Sequence, residues 1–250
     1  MGGMKMETEI LFQQLKDKLK KLADANHLLS EQVTIAGKDL TVEEAIGKPK
    51  RQDYPLQKGK DKLLQAIFKD AAGQAFTDQA GYFRGTLAEV LDWPLQTHFD
   101  MAVFIACLNA VLRYLGLIQQ TVHCKDEEPE ECAAKIVPMI RQDYGNPNIA
   151  QVGFQPALLG ALAAAFPLRV LDLNPDRIGT DKNGIRVEDG EGALADVLDW
   201  ADLILATGST ISNGTICNFL DTGKSVIFYG TTIAGAAYLM GWKRYCGCAK

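Results

Sequence analysis

Basic excess, long apolar runs, histidine and a glycine-rich phosphate motif are all scarce in this sequence, and each shortage removes a class of function. Lys and Arg number 26 against 31 Asp and Glu, a formal net charge of -5. Nucleic acids and anionic membranes want a basic patch, so neither partner is expected. No apolar stretch of about 18 residues is free of charge, so no membrane span is expected either. The longest candidate, Met101–Leu117, carries Asn109 and Arg113 and reads as a buried core helix. The opening residues (MGGMKMETEI) hold no apolar signal core. Their Met-Gly start lacks the Ser or Thr of a myristoylation site and reads as an expression remnant. The 6 cysteines follow no framework spacing, which suggests reduced thiols and a cytoplasmic location.

Metal and nucleophile signatures are also missing. The 3 histidines, His27, His98 and His123, lie far apart in sequence. His123-Cys124 with Cys132 matches no zinc spacing, and Cys246-Gly-Cys248 offers only two thiolates on what reads as a frayed tail. No metal ligand set is expected on these grounds. There is no Gly-x-Ser-x-Gly elbow and no Walker lysine, so neither a serine hydrolase nor an NTP-hydrolysing P-loop is indicated.

What the sequence does have is concentrated in its last hundred or so residues. Four apolar runs, Asn148–Val152, Leu168–Asp172, Ala201–Ala206 and Lys224–Tyr229, alternate with helix-like segments. Such runs predict strands buried on both faces of a parallel sheet. Doubly wound sheets bind ligands outside the carboxyl ends of their strands, so the loops that follow are the candidate site.

After the first run, Gly153-Phe154-Gln155-Pro156 leads into a helix predicted over Pro156–Phe166. It occupies the place of a phosphate loop but holds only one fingerprint glycine, which disfavours a dinucleotide. Gly153 and Gln155 are ligand candidates, balanced against a plain tight turn. Asp172 ends the second run and could accept hydrogen bonds from a ligand hydroxyl; alternatively it or Asn174 caps the turn before Pro175. Thr207-Gly208-Ser209-Thr210-Ile211-Ser212-Asn213-Gly214-Thr215 is the sharpest signal, with five hydroxyls, a carboxamide and two glycines. Capping a helix that starts near Thr215 needs only one such residue, so the excess points to a site for a carboxylate, phosphate or polyhydroxylated ligand. Thr232, after the fourth run, should lie beside that loop. Asn109 must find partners inside its apolar helix, or else face a cleft.

The first half reads as α+β. Glu7–Ala23 has a helical stripe of Ile10, Leu11, Leu15, Leu19 and Leu22. Val33–Ile35 is a short strand ended by Gly37, Thr41 with Glu44 forms a capping box, and Arg51–Gly59 is loop. Asp61–Ala72 fits helix or strand equally. Phe76–Leu91 turns at Gly81 and Gly85 before a helical run that Asp92-Trp93-Pro94 ends. Glu127–Tyr144 is a helix, with Pro129 in its first turn and Pro138 expected to kink it. A boundary falls near residues 119–127.

The run ADLILATGSTISNGTI, with QVGFQP and LDLNPD before it, resembles the DUF364 family, described as "putative heavy-metal chelation" proteins. FRGTLAEVL and CLNAVLRYLG are similar to the domain that accompanies it, DUF4213. The resemblance implies an α/β chain: a small α+β enolase-N-terminal-like domain (residues 1–122) followed by a Rossmann-like parallel-sheet domain (123–250), with a site at their junction. It would put Asn109 and the 207–215 loop near that junction.

The resulting expectation is a polar, anionic small molecule bound between the domains: a chelator or metal chelate, or a pterin- or flavin-like compound. Gly153, Gln155 and Asp172 would hold one end, and Thr207, Gly208, Ser209, Thr210, Asn213, Gly214 and Thr215 would supply donors, with Thr232 and Asn109 beside them. Condensation or hydrolysis of that molecule is one reading, with no cofactor named and no general base identified. A non-catalytic metal or metal-chelate binder is a second, and a methyltransferase-like nucleoside binder a third. Assembly as a homo-oligomer is compatible with all three.

Overall fold

The computed structural model describes residues 6–35, 40–58, 61–79 and 81–250; the Met1-Gly2 start, Gly37 and Gly59 lie outside them. The first helix, α1 (Met6–Ala25), buries Leu11, Phe12, Leu15 and Leu19, whereas Ile10 of the expected stripe faces solvent at 53% exposure. Strand β1 (Gln32–Ile35) follows, and then α2 (Val42–Ile46). Here the expected capping box is complete: Glu44 N donates to Thr41 Oγ1 at 3.2 Å and Thr41 N to Glu44 Oε2 at 2.8 Å.

The undecided Asp61–Ala72 stretch belongs to a β-hairpin, β2 (Lys62–Phe68) and β3 (Ala71–Thr77). Its turn places Lys69 at φ 53° without a glycine, which is why local turn chemistry gave no warning. β4 (Phe83–Thr86), α3 (Leu87–Asp92) and α4 (His98–Tyr114) complete the half. The sheet is antiparallel, in the order β3-β2-β1-β4.

Helix α4 is buried at every residue from Asp100 to Leu112. A helix apolar all round belongs inside a protein, and its one carboxylate there, Asp100, is satisfied by Trp93 Nε1, Gln96 N and Thr97 N. It lies so close to β3 that a methyl placed on Gly73 would stand 2.3 Å from Ala110 N. Only glycine permits that approach.

The second half holds α5 (Glu128–Tyr144), which continues through Pro138, then β5 (Ile149–Val152), α6 (Pro156–Ala163) and β6 (Leu168–Asp172). A small antiparallel addition, β7 (Asp181–Lys182) with β8 (Ile185–Asp189), precedes α7 (Leu194–Trp200) and β9 (Leu203–Thr207). Next come α8 (Ser209–Ser212), a 3-10 turn at Ile216–Asn218, β10 (Ser225–Tyr229), α9 (Ala234–Met240) and β11 (Arg244–Tyr245). The sheet order is β11-β10-β9-β5-β6-β8-β7, parallel except for β7. All four expected strands are present and adjacent, so the α/β fold class stands.

Both faces of that sheet are covered, which explains the continuous apolar runs. Ile149, Leu203, Leu205 and Ile227 pack with α5 and α6 in one cluster. Ala150, Val152, Ile204 and Phe228 point the other way, into a core shared with α1 and α4. The largest hydrophobic cluster therefore runs through both halves of the chain. With a fully buried Leu, Ile or Phe contributing roughly 1.5–3 kcal/mol, this shared core dominates the cohesion between the two sheets. Among the described residues no helix is long and apolar enough to cross a membrane.

Candidate functional site

Strand β5 pairs with β6 on one side and β9 on the other, so successive crossovers diverge at the β5/β9 boundary. That divergence opens a crevice at the carboxyl ends of the strands. Gly153 and Thr207 end those two strands and face each other: a methyl on Gly153, whose φ is +88°, would stand 2.7 Å from Thr207 Cγ2. Over the crevice sits the first half of the chain, and between them lies a cavity of about 1050 Å³. Phe76, Asp78, His98 and His123 form part of one wall, and the loops after β5, β6, β9 and β10 form the other.

Each loop is held by specific bonds. The carbonyl of Gly153 accepts from Tyr229 Oη (2.9 Å) and Gln151 Nε2 (3.0 Å). Gln155 caps α6 by accepting from Leu158 N. Asp172 ties two loops together. Its Oδ2 accepts from Phe154 N at 2.7 Å and its Oδ1 from Asn174 N at 2.7 Å, with Arg177 Nη1 3.6 Å away. Both oxygens thus support the turn, as the capping alternative expected, while the residue still lines the cavity. The Arg177 guanidinium lies 5.0 Å from the Phe154 ring centre, in the range of a cation–π contact.

The Thr207–Thr215 loop does not lead into a helix at Thr215. It folds at once into α8, and Thr215 precedes the 3-10 turn without a side-chain cap. Much of its hydroxyl excess serves the loop itself. Thr210 Oγ1 donates to Thr207 O at 2.8 Å; Ser212 Oγ donates to Phe76 O at 2.5 Å, across to the other sheet. Thr207 Oγ1 and Ser209 Oγ share a bond of 3.0 Å. Asn213 Oδ1 accepts from both Thr215 N (3.1 Å) and Thr215 Oγ1 (2.7 Å), leaving its Nδ2 donors without a partner among the described residues. Thr207 and Ser209 are half-buried, as are Asn213, Gly214 and Thr215, whereas Gly208 and Thr210 are buried in the cavity wall.

Thr232 lies in the same wall, and its hydroxyl accepts from Phe76 N at 3.1 Å. Its neighbour Thr231 has a buried hydroxyl with no partner among the described residues. Asn109 does reach across from the first half, but to backbone. Its Nδ2 donates to Gln74 O (3.0 Å), Thr231 O (3.3 Å) and Thr232 O (3.0 Å), while its Oδ1 accepts from Gly235 N at 2.7 Å. Fully buried and saturated, it ties the halves together beneath the cavity and contributes nothing to its lining. The other eleven expected residues all line the cavity.

Sequence reasoning passed over several groups in this wall. Asp61 lies near Arg177, Asp172 and Asp78; burial, more than the two neighbouring acids, holds its carboxyl above the ordinary range against the pull of Arg177. His98 Nδ1 meets Asp78 Oδ1 at 3.0 Å. Glu191 adds another acid. Asp61, Asp78 and Arg177 stand in segments that carry no motif, and only the folded sheets bring them together. The Cys246–Cys248 tail is not frayed: Val122 N donates to Lys250 O at 2.8 Å and Lys250 N to Val122 O at 2.9 Å.

These observations define a two-sheet α/β protein with a cleft at the switch point of a doubly wound sheet. Residues 137–239 match the model of the DUF364 family, whose description reads "Putative heavy-metal chelation", so that resemblance is confirmed over the stretch holding most of the cleft loops. A crystal structure of a DUF364-family protein with unknown function from Pyrococcus horikoshii is similar in fold, with a TM-score of 0.55 and 18% identity over 89% of this chain and 79% of that one. Another, from Desulfitobacterium hafniense DCB-2 and also of unknown function, aligns at a TM-score of 0.48 and 13% identity over 72% of each chain. No curated protein matches the sequence.

Proposed function

We propose that this chain binds a polar, chelator-type small molecule in the cleft between its two sheets. The observation that carries this is the 1050 Å³ cavity at the switch point, a volume suited to a ligand of drug or cofactor size. Asn213 Nδ2 and the Thr207 and Ser209 hydroxyls offer donors to a carboxylate or hydroxyl end. Asp61, Asp78 and Glu191 favour an amine or a coordinated cation at another. That acid-rich wall shifts the expected ligand from purely anionic to one carrying both charge types, as an aminocarboxylate chelator does. If the ligand reacts by condensation or hydrolysis, Asp61 and the His98–Asp78 pair are the groups suited to move a proton. The Phe154 ring, which lines the cavity beside Arg177, is the surface a pterin- or flavin-like ring would meet.

A second reading, a non-catalytic binder of a metal chelate, uses the same wall and is favoured by its carboxylates. A nucleoside binder has less support because the loop after β5 holds only one fingerprint glycine, Gly153. The domain division belongs to the same proposal: an enolase-N-terminal-like, DUF4213-type domain over residues 1–122 and a Rossmann-like domain over 123–250. The four-stranded antiparallel sheet followed by α4 supports the first.

The test is a thermal-shift screen of aminocarboxylates, pterins and flavins, with and without divalent metal. A ligand at a hundred times its Kd stabilises by about 2.7 kcal/mol, roughly 5–10 °C for a chain of this size. Asn213→Asp keeps the acceptor for Thr215 but removes the free donors, and should abolish the shift with the fold intact. Binding that survives this change would reduce the loop to a structural turn.

A further inference from the structure

Arg177 brings a cation with unused hydrogen-bond donors into the wall of the cleft. It lies on the loop after β6, whose backbone is locked. Arg177 N donates to Asn174 O at 2.9 Å, Thr180 N to Arg177 O at 2.9 Å, and Gly179 N to Val187 O at 2.8 Å. The side chain is 14% exposed and lines the cavity. Its ion-pair partner Asp172 stands 3.6 Å from Nη1, beyond hydrogen-bond reach. The two oxygens of that carboxylate already accept from Phe154 N and Asn174 N. A guanidinium carries five N–H donors. Among the described residues no oxygen accepts a hydrogen bond from any of those on Arg177.

Two neighbours shape what this cation can take. The Phe154 ring centre lies 5.0 Å away, a contact that steadies the guanidinium yet leaves its N–H groups available. Asp61 is held above the ordinary carboxylate range, by burial first and then by Asp172 and Asp78, against the pull of Arg177. Below that raised value it is a neutral neighbour and no rival anion.

We propose that Arg177 is the oxyanion anchor of the cleft, gripping two oxygens of one carboxylate arm of the ligand with its guanidinium fork. Unpaired donors in a largely enclosed site are costly, and a bidentate oxyanion satisfies two of them at once. The inference rests on the chelator-type reading and makes it specific. One arm of an aminocarboxylate sits on Arg177, and the donors of Asn213 serve another. The β6 and β9 exits that carry these two residues lie on either side of β5, two strand spacings or roughly 9–10 Å apart.

The test titrates the full chain by calorimetry with two probes. Sulfate is a compact oxyanion whose charge stays constant near neutral pH; iminodiacetate adds an amine between two carboxylates. Both should bind. Arg177→Gln should weaken each by about thirty-fold or more, the lower limit for removing one member of a desolvated charge pair. Arg177→Lys keeps the charge beside Asp172 but not the fork, so it should recover only part of the affinity. It also keeps the test readable if Arg177→Gln impairs folding. Phenylglyoxal should modify Arg177, and either probe should slow that reaction. Sulfate affinity should fall as pH rises through the raised Asp61 value, because a new carboxylate then joins Asp172 and Asp78 near the oxyanion; Asp61→Asn should remove the fall. Unchanged binding in Arg177→Gln, full recovery in Arg177→Lys, or failure of both probes to bind would each overturn the inference. Asn213→Asp separates the two readings, since it should lose iminodiacetate and keep sulfate. Sulfate held through Arg177 without any binding of iminodiacetate would sink the chelator reading and leave the anchor standing. Iminodiacetate bound equally by Arg177→Gln would do the reverse.

Discussion

Replacing Asn109 by alanine tests how the two halves are joined. Its carboxamide lies at 0% exposure and makes four bonds to backbone groups of β3 and of the segment leading into α9. Thr231 O keeps another partner in Ala234 N, so its loss is small. Gly235 N is different. It lies in the first turn of α9, where amides have no intrahelical acceptor, and Asn109 Oδ1 at 2.7 Å is what satisfies it. An orphaned buried N–H costs about 1–3 kcal/mol, and each further lost bond about 0.5–1.5 net. The expected destabilisation is therefore roughly 3–4 kcal/mol. At this size that lowers Tm by about 6–16 °C. Urea unfolding followed by far-UV circular dichroism measures the first quantity and calorimetry the second. Asn109→Asp retains an acceptor for Gly235 but faces three carbonyls with a buried charge, so it should be at least as damaging at neutral pH and recover on acidification. A cost below about 0.5 kcal/mol for the alanine variant would refute the reasoning, as would loss of cleft binding in folded Asn109→Ala protein.

Other outcomes follow from the same geometry. Gly73→Ala forces a methyl to within 2.4 Å of Ala106 O as well as Ala110 N, and backbone cannot rotate aside. The expected loss is at the upper end of the 1–3 kcal/mol typical of overpacking, read from the urea midpoint. Asp61 carries a raised pKa, so between its unfolded value near 3.8 and its folded value the native state holds the extra proton. Stability contributed by this group is present at low pH and lost as pH rises through that window, by up to about 1.4 kcal/mol per unit. Asp61→Asn should remove that fall and be the more stable protein at neutral pH, with weaker binding of any amine-bearing cleft ligand; an unchanged pH–stability curve would contradict the assignment.

The parallel sheet was legible because burial on both faces writes itself into continuous apolar runs, as in LILAT and SVIFY. The hairpin β2–β3 was not, since Lys69-Asp70 turns without glycine and AAGQAFT is small-residued to let α4 approach. Strand β8 (IRVED) is half-exposed and polar, and β11 is two residues long. Eleven of the twelve candidate site residues came from one inference, that loops at strand exits gather in space. Asn109 departed from it because a buried carboxamide can be saturated by backbone alone. The acids Asp61 and Asp78 lie outside any local pattern. They come near each other and Arg177 only when the two sheets pack together, which no spacing along the chain encodes.

The single core running through both sheets bears on how anything enters the cleft. Two lobes with separate interiors can swing about a hinge, but here α4 belongs to both, stitched at its middle to Gln74 on one side and Gly235 on the other. The floor of the cavity is masonry, not a jaw. Traffic must pass the rim formed by the turns after β5, β6 and β9, and exchange rates should respond to changes in those turns while the frame beneath keeps its shape.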